Sequence, residues 1–170
     1  MTHSGKTLLA VVACSAFFAT PAFSDIAFSF NEGAPKDRFT ITNTGSCSIE
    51  NATIMLDLST SKSGLIFDVT GKGAGVEVFQ PLVIMTGADA LRTIPSVKDG
   101  DNRIELDIKQ LAAGKEVSFT IDVDDTMGGR EITVSGSEIE GAQVKFSQSG
   151  TSETAFFASN ASGLIKVGGC

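Results

Sequence analysis

The sequence contains no tryptophan and no tyrosine, and its single histidine is His3. Thirteen basic residues, only four of them arginine, face 20 acidic ones, for a formal net charge of −7 and a pI near 4.6. So acidic a chain lacks the basic footprint that holds nucleic acid or an anionic membrane. With no histidine after His3, Ser–His–Asp and Cys–His relays and histidine-bearing zinc sites are excluded from the rest of the chain. Two carboxylates could still act on a glycoside, but such grooves are lined by aromatics that stack on sugar rings. The aromatics here are 12 phenylalanines, most at strand positions that face inward, so a glycan-acting enzyme ranks third among the readings. Proline is scarce, at four, while 18 glycines with frequent Ser and Thr favour turns and strands over long helices.

Residues 1–24 read as an export signal. Lys6 gives the positive start, residues 7–19 form an apolar run, and Pro21 ends it. Ala22 and Ser24 place small residues at the −3 and −1 positions of a cut before Asp25. The run is shorter than the ~18 apolar residues that cross a bilayer, so no membrane span is expected. Val11-Val12-Ala13-Cys14 resembles a lipoprotein signal and would leave a lipidated Cys14, but the apolar run continues past Cys14, which favours the cut before Asp25. The expected organisation is a cleaved signal over residues 1–24 and one domain over residues 25–170, in the periplasm or outside the cell. Of three cysteines, Cys47 and Cys170 then remain, and in an oxidising compartment they are expected to form one disulfide.

The rest of the chain alternates. Ile26, Phe28 and Phe30 share one face, as do Phe39 and Ile41, then Ile54, Leu56 and Leu58. Leu65 to Val69 is a near-continuous apolar run, expected of a strand buried on both faces. Further strands are expected at Val76 to Phe79 and Leu82 to Met85, with one helical turn near Ala88 to Arg92 inside a loop. Ile104, Leu106 and Ile108 alternate with acids, and Val117, Phe119, Ile121 and Val123 alternate with Ser118, Thr120 and Asp122. Strands around Ile132 to Val134, Val144 to Phe146, Ala155 to Ala158 and Leu164 to Val167 complete the pattern. About nine to eleven short strands bounded by Gly, Asn, Asp and Ser predict an all-β, antiparallel β-sandwich, Ig-like or jelly-roll-like.

Three motifs invite chemistry. Gly71-Lys72-Gly73-Ala74-Gly75 lacks the Ser or Thr of a phosphate loop, and Val76 stands where a dinucleotide fingerprint needs glycine, so it reads as a hairpin turn. Asn51-Ala52-Thr53 and Asn160-Ala161-Ser162 fit the N-glycosylation pattern, which has no meaning in a bacterial host. Asp122, Asp124 and Asp125 crowd one strand end, and Asp99 and Asp101 form a second oxygen-rich turn. Crowded carboxylates repel unless a cation compensates, and hard oxygen ligands at a sandwich rim suit calcium. Calcium at Asp122, Asp124, Asp125, Asp99 and Asp101 is one reading, and a solvated acidic turn is the other.

Specific strings also carry a resemblance. Gly64-Leu65-Ile66-Phe67-Asp68-Val69-Thr70-Gly71, Gly73-Ala74-Gly75-Val76-Glu77-Val78-Phe79-Gln80-Pro81 and Phe119-Thr120-Ile121-Asp122-Val123-Asp124-Asp125-Thr126 carry it, together with the signal, the Asn43-Thr44-Gly45 turn and the terminal cysteine. With these the chain resembles small exported alphaproteobacterial proteins labelled "aggregation factor core", by similarity to the sponge aggregation factor. That factor is an extracellular, calcium-dependent, carbohydrate-bearing adhesion complex, so the resemblance implies adhesion, calcium, and a surface protein or glycan as partner. Two functions stay open: an exported, non-enzymatic adhesion or matrix module, and a periplasmic structural or small-ligand-binding domain.

Overall fold

The computed structural model describes residue 1 and residues 25–34, 36–72, 79–127 and 134–168. The signal, Cys14, Cys170, the glycine run from Gly73, most of the expected Val76 to Phe79 strand and the start of the Ile132 to Val134 strand lie outside the described residues.

Among the described residues the fold is all-β, with ten strands and one 3-10 turn. The strands are β1 (Ile26–Asn31), β2 (Asp37–Asn43), β3 (Ile49–Asp57), β4 (Ile66–Asp68) and β5 (Val83–Thr86), then β6 (Arg103–Leu111), β7 (Glu116–Asp124), β8 (Gln143–Gln148), β9 (Thr151–Phe156) and β10 (Ser162–Ile165). Every strand pair is antiparallel. One sheet runs β10-β1-β2-β7-β4, with β5 also on β7, and the other runs β6-β3-β8-β9. The expected sandwich of short antiparallel strands is what the chain forms.

The apolar alternation sets which face turns inward. Phe28, Phe30, Phe39 and Ile41 from the first sheet and Ile54, Leu56, Leu106 and Phe146 from the second are all buried in one cluster. Phe39 lies at its centre, stacked on Phe119 at 5.2 Å between ring centroids and 5.0 Å from Phe30. Such ring pairs add about 0.5–1.5 kcal/mol each beyond the area they bury. Phe28 fits because Gly163, its partner in the β1–β10 register, has no side chain. A Cβ there would strike the Phe28 ring and lie 2.8 Å from the Phe156 carbonyl oxygen.

Asn43 joins the two sheets at one end of the sandwich. It is fully buried at the end of β2. Its Nδ2 donates to the carbonyls of Leu111, at the end of β6, and Cys47, while its Oδ1 accepts from the Gly45 N–H. The turn at Asn43-Thr44-Gly45 is thus built on an amide that serves its own loop and the opposite sheet at once.

Some elements differ from the sequence pattern. The strand expected at Ala155 to Ala158 is β9, Thr151–Phe156, whose Thr, Ser and Glu side chains are mostly exposed, so it has no apolar period to read. It is held by its full register with β8. The strand expected over Leu65 to Val69 shortens to β4, and the loop after β5 holds the helical turn as the 3-10 turn Ala88–Ala90.

Candidate functional site

The long strand β7 gives the molecule its unusual feature. Val117, Phe119, Ile121 and Val123 face the core, as alternation requires, but Ser118, Thr120, Asp122 and Asp124 on the opposite face are buried as well. β2 pairs with one edge of β7, while β5 and then β4 share the other. Three oxygen atoms on that outer face are shut off from solvent without a hydrogen-bond partner: Ser118 Oγ, Thr120 Oγ1 and Asp122 Oδ2.

At the β4 end this face becomes acidic. Asp68 of β4 stands directly opposite Asp122 in the register, and Ile66 opposite Asp124. Directly opposed residues have Cβ atoms about 5 Å apart, and like charges there destabilise the pair. At an effective dielectric of about 20, two charges ~5 Å apart repel by on the order of 3 kcal/mol. Asp68 is 1% exposed, Asp124 4% and Asp122 5%.

Asp99 completes the group from the loop before β6. Its turn is strapped to β4: Gly100 N–H donates to the Phe67 carbonyl, and Phe67 N–H to that of Asp101. Gly100 takes a positive φ of 80°, open to glycine at little cost. Asp99 Oδ1 accepts from the backbone N–H groups of Val69 and Thr70, and its carboxyl also hydrogen-bonds that of Asp68. Two carboxyl groups bonded to one another must share a proton, since both ionised forms only accept.

Electrostatics follow the geometry. Burial first, then the hydrogen bond and charge of Asp99, push the Asp68 carboxyl up to about 7. Burial, then the charges of Asp124 and Asp68, push Asp122 up to about 7 against a smaller opposing pull from the Val123 N–H. Asp37 pairs with Ile121 in the register and so lies on the core face, where its Oδ1 accepts from the Gly33 N–H of the β1–β2 loop. Burial leads in raising it to about 7, and the charges of Asp122 and Asp124 add to that. Asp57 shows the contrast. Burial alone would raise it, but the Ser59 hydroxyl and N–H and the Arg103 guanidinium, with Nε 2.8 Å from Oδ2, hold it below the usual carboxylate range.

Of the five acids singled out in the sequence, the structure brings together Asp122, Asp124 and Asp99. Asp101 turns its Oδ2 back to the Lys98 N–H within its own turn, 2.8 Å away. Asp125 follows the last residue of β7 and lies outside the strand. Sequence reasoning missed Asp68 and Asp37. The signal for Asp68 was an acid inside an apolar run expected to be buried on both faces, where an ionised group is costly. Among the described residues, no three His, Cys, Asp or Glu side chains as they stand are gathered closely enough to hold a metal ion.

At the opposite end of β7 lies a cleft of about 500 Å³, lined by Thr86, Asp89, Gln110, Lys115 and Glu116 among others. Cys47 is at this end too. Asn43, Ile26 and Ile165 stand in one row across β2, β1 and β10, so the ends of β2 and β10 are two strand spacings, about 10 Å, apart. No described helix is long and apolar enough to cross a membrane.

A scan of protein-family models and a search of curated proteins found no match to the chain.

Proposed function

We propose that the protein is an exported, non-enzymatic binding module of adhesion or matrix type, acting in the periplasm or at the outer surface on a surface protein or glycan. The observation that carries this reading is spatial. Two of the strings behind the resemblance to "aggregation factor core" proteins, residues 64–71 and 119–126, hold β4 and β7, which pair with one another and carry the buried carboxylates between them. Two of the features that carry the resemblance therefore form one structural unit. Calcium is the ion the resemblance implies, and the buried, unpartnered Asp122 Oδ2 suits an oxygen-seeking cation.

Fractionation tests the reading. The adhesion module must reach the outer surface or the medium, and immobilised protein must retain outer-surface components. Material confined to the periplasm that retains none overturns it. A second reading, a periplasmic domain for a small ligand, is favoured by the 500 Å³ cleft, whose size suits a small molecule and whose polar groups could orient one.

A further inference from the structure

We propose that the cleft at the start of β7 binds a short unblocked peptide, its terminal ammonium against Asp89 and Glu116 and its terminal carboxylate against Lys115. This names the ligand class for the small-ligand reading of that cleft and rests on it. Two segments of chain line the cleft. One runs from Thr86 at the end of β5 to Asp89 in the 3-10 turn. The other runs from Gln110, near the end of β6, through Lys115 to Glu116, the first residue of β7. The two meet where Gly87 lies on β7, so close that a Cβ there would strike the Glu116 carbonyl oxygen. Backbone hydrogen bonds fix both segments. Arg92 N–H, just past the 3-10 turn, donates to the Asp107 carbonyl of β6. Gly114 and Lys115 N–H donate to the carbonyls of Asn43 and Ala112. The cleft is therefore built into the fold before any ligand arrives.

The charges select the ligand. Among the described residues the ion pairs are Lys62–Glu140, Arg92–Asp107 and Arg103–Asp57, and the side chains of Asp89, Lys115 and Glu116 make no ion pair or hydrogen bond there. Two carboxylates and one ammonium thus stand around one concavity with their charges uncommitted. A ligand carrying both signs answers all three. A simple cation would be opposed by Lys115, and a simple anion by the two carboxylates. Size favours a peptide over a single amino acid. The volume of about 500 Å³ falls in the range of about 300–1,000 Å³ that encloses drug-sized molecules, more than one amino acid fills. Between its ends a peptide presents amide groups, and the Thr86 hydroxyl and the Gln110 side chain line the same space. Gln110 Nε2 donates to Glu50 Oε1 at 3.0 Å, which leaves Gln110 Oε1 to accept a peptide N–H. Buried Ala90 and Leu111 give the lining an apolar part that suits a small side chain.

Calorimetric and NMR titration of the purified exported chain with trialanine test the assignment. Trialanine should bind, with amide shifts centred on the residues that line the cleft. Acetylating its amine or amidating its carboxylate should each weaken binding about tenfold or more, the size of one lost charge-assisted contact. Lys115→Gln should erase the difference between trialanine and its amide. Asp89→Asn combined with Glu116→Gln should erase the difference between trialanine and its acetyl form. All three side chains belong to exposed or half-buried residues, so the variants fold. No response to ~10 mM trialanine, equal binding of the capped forms, or unchanged discrimination by Lys115→Gln overturns the proposal. Glucose and spermidine, titrated in parallel, separate this from the reading beneath it. If either shifts the cleft residues where trialanine does not, the cleft holds a small ligand of another chemistry and only the peptide assignment falls. If none of the three does, both fall.

Discussion

In the presence of a chelator, Asp122→Asn should make the protein more stable, and only above about pH 4. The folded Asp122 keeps its proton up to about 7, whereas the unfolded residue releases it near 3.8. Between those values folding takes up a proton, so stability declines as pH rises through the window and levels off above it. Below the window both states are protonated and no penalty exists. A difference of roughly three pH units at about 1.4 kcal/mol each gives on the order of 4 kcal/mol at pH 7.5. Asparagine has nearly the same shape, is neutral throughout, and offers an N–H₂ to the carboxylates of Asp68 and Asp124. Asp68 and Asp37, also raised to about 7, act in the same direction and window, and because the groups share their repulsion the contributions do not add. Asp57 is shifted the other way, and its stabilisation is lost only as pH falls below about 3.8, outside this window. Urea unfolding at pH 4.5 and 7.5 reads the difference. A gain of equal size at both values, or a loss at pH 7.5, would refute the reasoning.

Asn43→Ala should cost about 3 kcal/mol, because it strands the buried carbonyls of Leu111 and Cys47 at once, and denaturant midpoints will show it. Gly163→Ala should destabilise by about 1–3 kcal/mol, since the new methyl group displaces the Phe28 ring, and a Phe28→Leu background should recover part of the loss. A Cys47–Cys170 bond should leave no alkylatable thiol in exported protein and give one disulfide-linked peptide pair by mass spectrometry. Reduction should lower stability by up to about 5 kcal/mol for so long a loop.

Where apolar residues alternate, the chain was legible. Ile26-Phe28-Phe30, Ile104-Leu106-Ile108 and Val117-Phe119-Ile121-Val123 each turn inward as their period requires. β9 was misplaced because its exposed Thr, Ser and Glu carry no period, and only pairing with β8 makes it a strand. At the candidate site, the crowding of Asp122 and Asp124 was visible because they are close in sequence. Asp68 was not, because its position opposite Asp122 depends on β4 finding the free edge of β7, a long-range pairing that local pattern does not encode. The burial of the outer face of β7 escaped for a related reason. Alternating Ser, Thr and Asp are the usual mark of a solvated face, and here that face is buried.

That closed face makes a further prediction, at Thr120. Its hydroxyl is buried, 4% of the residue is exposed, and Oγ1 has no partner. Valine has the same branched shape and keeps the β-branched preference of a strand flanked on both edges. An unpartnered hydroxyl costs its desolvation with nothing to offset it, so Thr120→Val should be neutral or stabilising, by up to about 1–2 kcal/mol. The change is uncharged, so the gain should be the same at pH 4.5 and 7.5, unlike that of Asp122→Asn. If Thr120→Val instead costs more than about 1 kcal/mol, the hydroxyl is hydrogen-bonded to water. The outer face of β7 is then wet, and water reaches Asp122 Oδ2, two residues along, as well.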